Sequence, residues 1–525
     1  MKHTRRDFCL SVFAAALLAG CHGTTSGGTV NVRDHGAMGD GVSDDSAAIR
    51  AAVDALESGD TLLFPRGSYR FAERNPDGGA AILLSDKSDL AIDFERGAEL
   101  VMDNVDPGTR TGTSHCILIR GPASRIALRG VRIRWAAASQ RSMGDGIRVI
   151  GSPQISGGPI AGWEGPQRPV RDITLTDCAV RASPQTGVIM IGVSDIRIAG
   201  LQSSDTRADG LHFNACRKAT IADYTAVNTG DDGLALVTYQ SAAAAYDAEA
   251  ETFAFPELTD WSNAEFGISG ITVDGGRANG IRIAGANGVT MTEFEARGLR
   301  SGAGVMVDSA AAGNDVDWHY VASRKVMLDR IDVDGCEFGM HVLARPPLEP
   351  DARFTDFDVA LGTATFRNCS NWSLRVESDA RTPVTGVSVD RCLVEARSTA
   401  GGNGGVGLAN ANSVELGEVV IDHRTAVPML TIADTGRVQI RQARLTIANT
   451  ENTENTGASP CVGLIGSDGR IDELVIRWER SPASWIPIRV TGRGGECAAN
   501  AAIGGVTVGT LELQTASITR RVTTC

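Results

Sequence analysis

Thr186-Gly187-Val188-Ile189, Asp209-Gly210-Leu211-His212 and Asp232-Gly233-Leu234-Ala235 set a glycine at the same point of three similar segments, 23 residues apart each time. Asn279-Gly280-Ile281-Arg282 and Ala303-Gly304-Val305-Met306 continue the series after steps of 47 and 24, and Asp145-Gly146-Ile147-Arg148 precedes it across a Gly/Pro-rich insertion, Ser152 to Pro169. Between the glycines run alternating stretches such as Ile173-Thr174-Leu175-Thr176, Ile196-Arg197-Ile198-Ala199 and Ala219-Thr220-Ile221-Ala222. Period-two runs bounded by turn residues are strands. A repeat of 23 holding two or three of them is one coil of a parallel β-helix, whose equivalent residues stack ~4.8 Å apart. An all-β sandwich would need the period to recur by accident. The expected fold class is all-β, a single-stranded right-handed parallel β-helix with an N-terminal capping helix.

A solenoid must cover its first coil, because an open end exposes core and unpaired strand edges. Ser43-Asp44-Asp45 offers N-cap oxygens, and Ala47, Ala48, Ile49, Ala52, Val53 and Leu56 form an apolar helical face, so the cap is placed at about 30–60. Thr61-Leu62-Leu63-Phe64-Pro65 then starts the sheet. The body is expected to run over 30–525 without a dividing linker, its coils less regular over about 400–525, with a polar loop from Asn449 to Ser459. Gly 61 and aromatics at 5% suit many tight turns around a narrow aliphatic core.

The first residues read as an address and not as fold: Arg5-Arg6-Asp7-Phe8, an apolar run from Cys9 to Leu18, then Ala19-Gly20-Cys21. Thr4-Arg5-Arg6-Asp7-Phe8 resembles a twin-arginine signal, and Leu18-Ala19-Gly20-Cys21 resembles a bacterial lipobox, which implies lipidation at Cys21. The apolar run is too short to span a bilayer. The expectation is residues 1–21 as export signal, 22–29 as flexible tether, and an exported bacterial lipoprotein held by its lipid on the periplasmic or cell-surface side, at the outer membrane.

The net charge of −13 opposes nucleic acid and an anionic membrane as partners, and a polyanionic glycan too unless local arginines override it. The lipid is then the sole expected membrane contact, and a monomer the expected state. Of the 11 cysteines, Cys369 and Cys392 share similar contexts 23 residues apart and read as stacked core thiols. Cys461, Cys497 and Cys525 remain as disulfide candidates in an oxidising compartment.

Val32-Arg33-Asp34-His35-Gly36-Ala37-Met38-Gly39-Asp40-Gly41-Val42-Ser43-Asp44-Asp45, with Ala48-Ile49 and Phe64-Pro65-Arg66-Gly67-Ser68-Tyr69, resembles the opening of the pectate-lyase-like β-helix superfamily. That resemblance implies fold and leaves the reaction open, since hydrolases, lyases, epimerases and tailspikes share it.

The chemistry is carried by the Asp-Gly column. A 23-residue step puts Asp209 and Asp232 at one edge of adjacent coils, with Asp231 beside them. Glycosidic cleavage needs one acid to protonate the leaving oxygen and a second group to activate water, about 6.5–9.5 Å apart for inversion. Crowded carboxylates also push one another's pKa upward. Ala208-Asp209-Gly210, Gly230-Asp231-Asp232-Gly233 and Asn279-Gly280-Ile281-Arg282-Ile283 resemble, in part, the catalytic motifs of family 28 glycoside hydrolases, the polygalacturonase family of inverting enzymes. The resemblance implies Asp231 as general acid, Asp209 and Asp232 holding and deprotonating water, and Arg282 binding the sugar. It departs at the family's Gly-His-Gly, absent from Tyr239 to Gly267, and at Ala284, where the family has a uronate-recognising Lys. His212 is the candidate substitute for the missing imidazole, and Arg148, like Arg282 two residues after a column glycine, a further candidate substrate ligand.

Three functions stay open on the residues: a polysaccharide-degrading hydrolase with no metal or other cofactor; a polysaccharide lyase or uronate epimerase, with the aspartates holding Ca²⁺ and Arg282 or Arg148 as base; and a non-catalytic glycan binder using Trp163, Trp261, Trp318 and Tyr320. The segment from Tyr239 to Trp261 is expected to overhang the column as a wall. For the address, metabolic labelling with a fatty acid is expected to mark the chain and to fail in Cys21→Ser; label persisting in that variant contradicts lipidation there.

Overall fold

The computed structural model describes residues 27–153, 167–313, 316–379, 382–396, 404–448, 459–481, 485–492, 495–497, 506–515 and 519–523. The signal with Cys21, residues 22–26 of the tether, Trp163, and the side chains of Cys497 and Cys525 lie outside them.

The chain winds as the expected right-handed parallel β-helix, and among the described residues its coils feed two long sheets, one of 15 strands and one of 23. In the smaller sheet, strands Ile147–Ile150, Val188–Ile191, Leu211–Asn214, Leu234–Val237, Ile281–Ala284 and Ala303–Ala310 lie side by side in parallel. Their register stacks Ile147, Val188, Leu211, Leu234, Ile281 and Val305 in one inward column, every member fully buried. Each such side chain contributes about 1.5–3 kcal/mol by leaving water, which stabilises the coil above and the coil below alike. The repeating glycines sit one residue earlier, where coils approach too closely for a side chain. A Cβ on Gly187 would lie 2.5 Å from the Gly210 carbonyl oxygen, and one on Gly233 would lie 2.6 Å from that of Gly280.

The larger sheet is built from long strands such as Arg217–Thr229, Ala264–Gly276, Asn287–Arg297 and Arg324–Asp334. Each bends midway at a left-handed residue, respectively Asp223, Gly270, Glu293 and Arg330, so that one strand serves two faces of the coil. Its inward stack of Ile221, Ile268, Met291 and Leu328 meets the other sheet's column in a single continuous core.

The cap is the helix Ser46–Asp54, which buries Ile49, Ala52 and Val53 while Ala47 stays exposed. Asp45 does not cap it: its carboxylate turns back to accept the Met38 and Gly39 N–H groups, and Asp44 accepts from Ser46 instead. Beyond 400 the described strands remain in register, from Val406–Ala409 through Leu430–Ala433 and Val462–Ile465 to Ile488–Gly492, and only the last pairings turn antiparallel. Cys369 and Cys392 are both buried but not stacked on each other: Cys392 faces Ala364 across the ladder, whereas Cys369 follows Arg367 as Cys336 follows Asp334, each thiol donating to the carbonyl two residues back. Cys461 is buried and donates to the Pro487 carbonyl oxygen.

Gly233→Ala is expected to lower stability by about 1–3 kcal/mol through overpacking against Gly280 and Val273. Thermal unfolding checks it; an unchanged melting temperature would show that the coils can part at no cost.

Candidate active site

At the turn entering the smaller sheet, two residues before the buried column position, four coils each send one polar side chain to the next coil's backbone. Asp145 Oδ1 accepts the Thr186 N–H at 2.9 Å, Asp209 Oδ1 the Asp232 N–H at 3.0 Å, Asp232 Oδ1 the Asn279 N–H at 3.0 Å, and Asn279 Oδ1 the Ala303 N–H at 2.8 Å. A turn amide buried without a partner would cost about as much as a lost hydrogen bond. The ladder therefore has a structural job, and it fixes the carboxylates in space while doing it.

Asp209, Asp231 and Asp232 converge: one carboxylate oxygen from each lies within 4.8 Å of the other two. Three full charges at such range repel strongly. Burial, then the Asp209 charge, pushes the Asp232 carboxyl up to about 7. Asp231 is raised by the same two causes, restrained by Arg141, whose Nη1 donates to its Oδ2 at 2.9 Å. Asp231 and Asp232 are both raised, so their titration belongs to the pair and not to either residue. Asp232 also accepts the Asn279 side-chain amide at 2.8 Å on the oxygen that takes the backbone N–H, which leaves Oδ2 as the seat of a proton. The three are hard-oxygen donors of the kind that hold a cation, but Ca²⁺ takes six to eight oxygens and two of these side chains already serve amides.

The outward column of the same sheet runs Arg148, Ile189, His212, Ala235, Arg282. His212 and Arg282 thus flank the small Ala235, about 10 Å apart across two strand spacings. His212 Nδ1 lies 2.7 Å from Asp209 Oδ2. Arg282 is held by both oxygens of buried Asp308 at 3.1 and 2.6 Å and lies over the Tyr320 ring, 4.9 Å from its centroid. Arg345 makes a second bond to Asp308 at 3.1 Å, and burial drives the hydroxyls of Tyr239 and Tyr320 toward the neutral form.

Five of the six expected site residues therefore meet, and one does not. Arg148 is spent between Asp145, at 2.9 Å, and Glu251, at 2.9 Å, two coils before His212, where it has no free fork for a substrate. Glu251 comes from the segment Tyr239 to Trp261, whose Phe253, Phe255 and Trp261 pack onto Leu118, Ile150, Ile191 and Ala215. The wall thus leans over the upstream coils, clamped by Asn214, which donates to the Phe253 carbonyl and accepts its N–H. Trp261 and Tyr320 are 4% exposed and cannot stack on a sugar; Trp318, 46% exposed with its ring 4.7 Å from Tyr239, can. Of the functional residues not anticipated, Asn279 stands where the column has Asp and was visible in the repeat. Arg141 and Asp308 carry no periodic signal.

A family model described as rhamnogalacturonase A/epimerase, pectate lyase-like, matches residues 29–75. The family 28 exopolygalacturonase of Yersinia enterocolitica superposes with a TM-score of 0.50 at 14% identity, over 85% of this chain and 78% of that one. The fold is that of the pectate-lyase-like β-helix proteins. Two curated relatives are short matches to this β-helix: mannuronan C5-epimerase AlgE4 of Azotobacter vinelandii, 46% identical over 63 residues, and AlgE1 of the same organism, 44% over 87. These cover 12% and 16% of the chain but only 11% and 6% of the relatives' own length.

Because folded Asp232 keeps its proton up to about 7 while an unfolded aspartate releases it near 3.8, stability is lost as pH rises through this window and the full penalty remains above it. Asp232→Asn is expected to raise the melting temperature at pH 8 and leave it nearly unchanged at pH 4. An equal difference at both values would contradict the raised carboxyl.

Proposed function

We propose that this β-helix is a polysaccharide-cleaving glycoside hydrolase, exported and tethered to the outer membrane by a lipid on Cys21. The convergence of Asp209, Asp231 and Asp232 within 4.8 Å carries the reading. Asp231, the most open of the three, protonates the leaving glycosidic oxygen. Asp209 and Asp232, pinned by the amides of the next coils, hold the attacking water; Asp209 takes its proton, because Asp232 keeps one with Asp231 for the leaving oxygen. His212 steadies the Asp209 charge, and Arg282, kept in place by Asp308, grips the sugar over the gap at Ala235. Hydrolysis is favoured over β-elimination or epimerisation because a base must be free to lose its proton, and the Asp308 pair holds Arg282 as a cation. The likeness to family 28 exopolygalacturonase in fold and the short matches to mannuronan epimerases support a polysaccharide as substrate class.

Asp231→Asn and Asp232→Asn are each expected to cut kcat by about 10²–10⁴, the usual worth of positioned acid–base groups, in assays of reducing ends released from a glycan panel. Wild-type activity in both variants, or release of ultraviolet-absorbing unsaturated product abolished by EDTA, would overturn hydrolysis. Activity should fall as pH rises through about 7, where Asp231 and Asp232 lose their last shared proton. A rate still climbing above pH 8 would contradict that assignment.

A further inference from the structure

Beside the carboxylates, along the edge where each coil turns between the sheets, lies an open groove of about 1110 Å³. It follows the solenoid axis across strands that register Arg134 with Arg181, Ser204, Val227, Asp274 and Arg297 in turn, five spacings or roughly 24 Å. Seven arginines line it, and Asp205 is the one acid among its described lining residues. In a chain of net charge −13 this concentration of positive charge is local and one-sided. Arg134 is neutralised by Glu99, and Arg181 by Asp205. Arg110, Arg207 and Arg277 have no acidic partner among the described residues, and Arg300 bonds only the Asn228 amide oxygen. The groove reaches the candidate active site through Gly230, which precedes Asp231, and through Arg141, which lines it and donates to Asp231.

We propose that this groove binds an extended anionic glycan through its sulfate or carboxylate groups, at a site distinct from the cleavage point and set along the coil edge. Arginine suits it: the guanidinium fork pairs planar or tetrahedral oxyanions with two parallel hydrogen bonds, and it never loses its charge. Arg207, Gly230, Arg277 and Arg300 fall at equivalent points of successive coils, so guanidinium groups recur along the groove at two coil spacings and then one, which matches a polymer bearing repeated charge and not a single small anion. The neighbouring Ala136, Ala137 and Ala138 leave the floor low enough for a chain to lie in it.

Binding, not turnover, tests the groove, so the result stands apart from whether the aspartates hydrolyse. Titrations of the full protein with dextran sulfate, polygalacturonate and neutral dextran, read by calorimetry over a salt series, are compared with Arg207→Gln/Arg277→Gln/Arg300→Gln. A control, Arg125→Gln/Arg330→Gln/Arg391→Gln, removes equal charge from exposed, acid-paired positions elsewhere. The expected outcome is salt-sensitive binding of one or both anionic polymers and none of dextran, weakened about tenfold or more in the groove variant and kept in the control, with equal melting curves throughout. Dextran sulfate alone would name sulfate as the ligand group, and polygalacturonate alone would name carboxylate. Failure of wild type to bind either polymer, or equal weakening by the control, would overturn the site.

Discussion

The hydrogen bond from one coil's backbone amide to the preceding coil's carboxylate is the contact on which the candidate site depends. A parallel solenoid satisfies its strand amides through the sheets, but each turn leaves an N–H facing the coil before it. Asp145, Asp209, Asp232 and Asn279 answer that demand with one side-chain oxygen each. An aspartate can do so and still present its second oxygen, so the same residue closes the structure and supplies a reactive group. Two successive coils use Asp in this way, and the doubled Asp231 adds a third carboxyl to the same few ångströms.

Such crowding costs stability, and the surroundings divide the charge unevenly. Arg141 reaches Asp231 from a loop, His212 leans on Asp209, and Asp232, almost sealed from water, has no cation bonded to it among the described residues and keeps a proton. On the far side of Ala235, Asp308 locks Arg282 so that the cation faces the site in a fixed pose. The result is a row of acid, gap and fixed cation laid out across three coils. Upstream, Asp145 has the same backbone task but is paired with His115 and Arg148 and held well below the usual carboxylate range, against the effect of its burial. Its coil and the Thr186 coil after it lie upstream of the two coils that carry Asp209 and Asp232.

The repeat made most of this readable beforehand. A 23-residue step transmits identity through register, so the buried column, the outward column of Arg148, His212 and Arg282, and the convergence of Asp209 with Asp232 all follow from spacing. What spacing cannot transmit is the partner a side chain finds off the repeat. Arg148 has the same register as Arg282, yet a glutamate 103 residues away in the Tyr239 to Trp261 segment claims it. Arg141 and the arginine groove come from turns and loops whose lengths vary from coil to coil. Cys369 and Cys392 share a spacing of 23, but a longer coil intervenes and shifts them to different columns.

The proton held by Asp231 and Asp232 is the feature on which the proposed acid–base chemistry depends. Carbon-13 NMR of protein labelled at the aspartate carboxyls, titrated from pH 3 to 9, observes it directly. A carboxyl resonance titrating at about 7, lost in Asp232→Asn and shifted to lower pH in Asp209→Asn, is the expected result. All aspartates titrating near the ordinary value of about 4 would contradict it, because Asp231 and Asp232 would then hold no proton for a leaving oxygen.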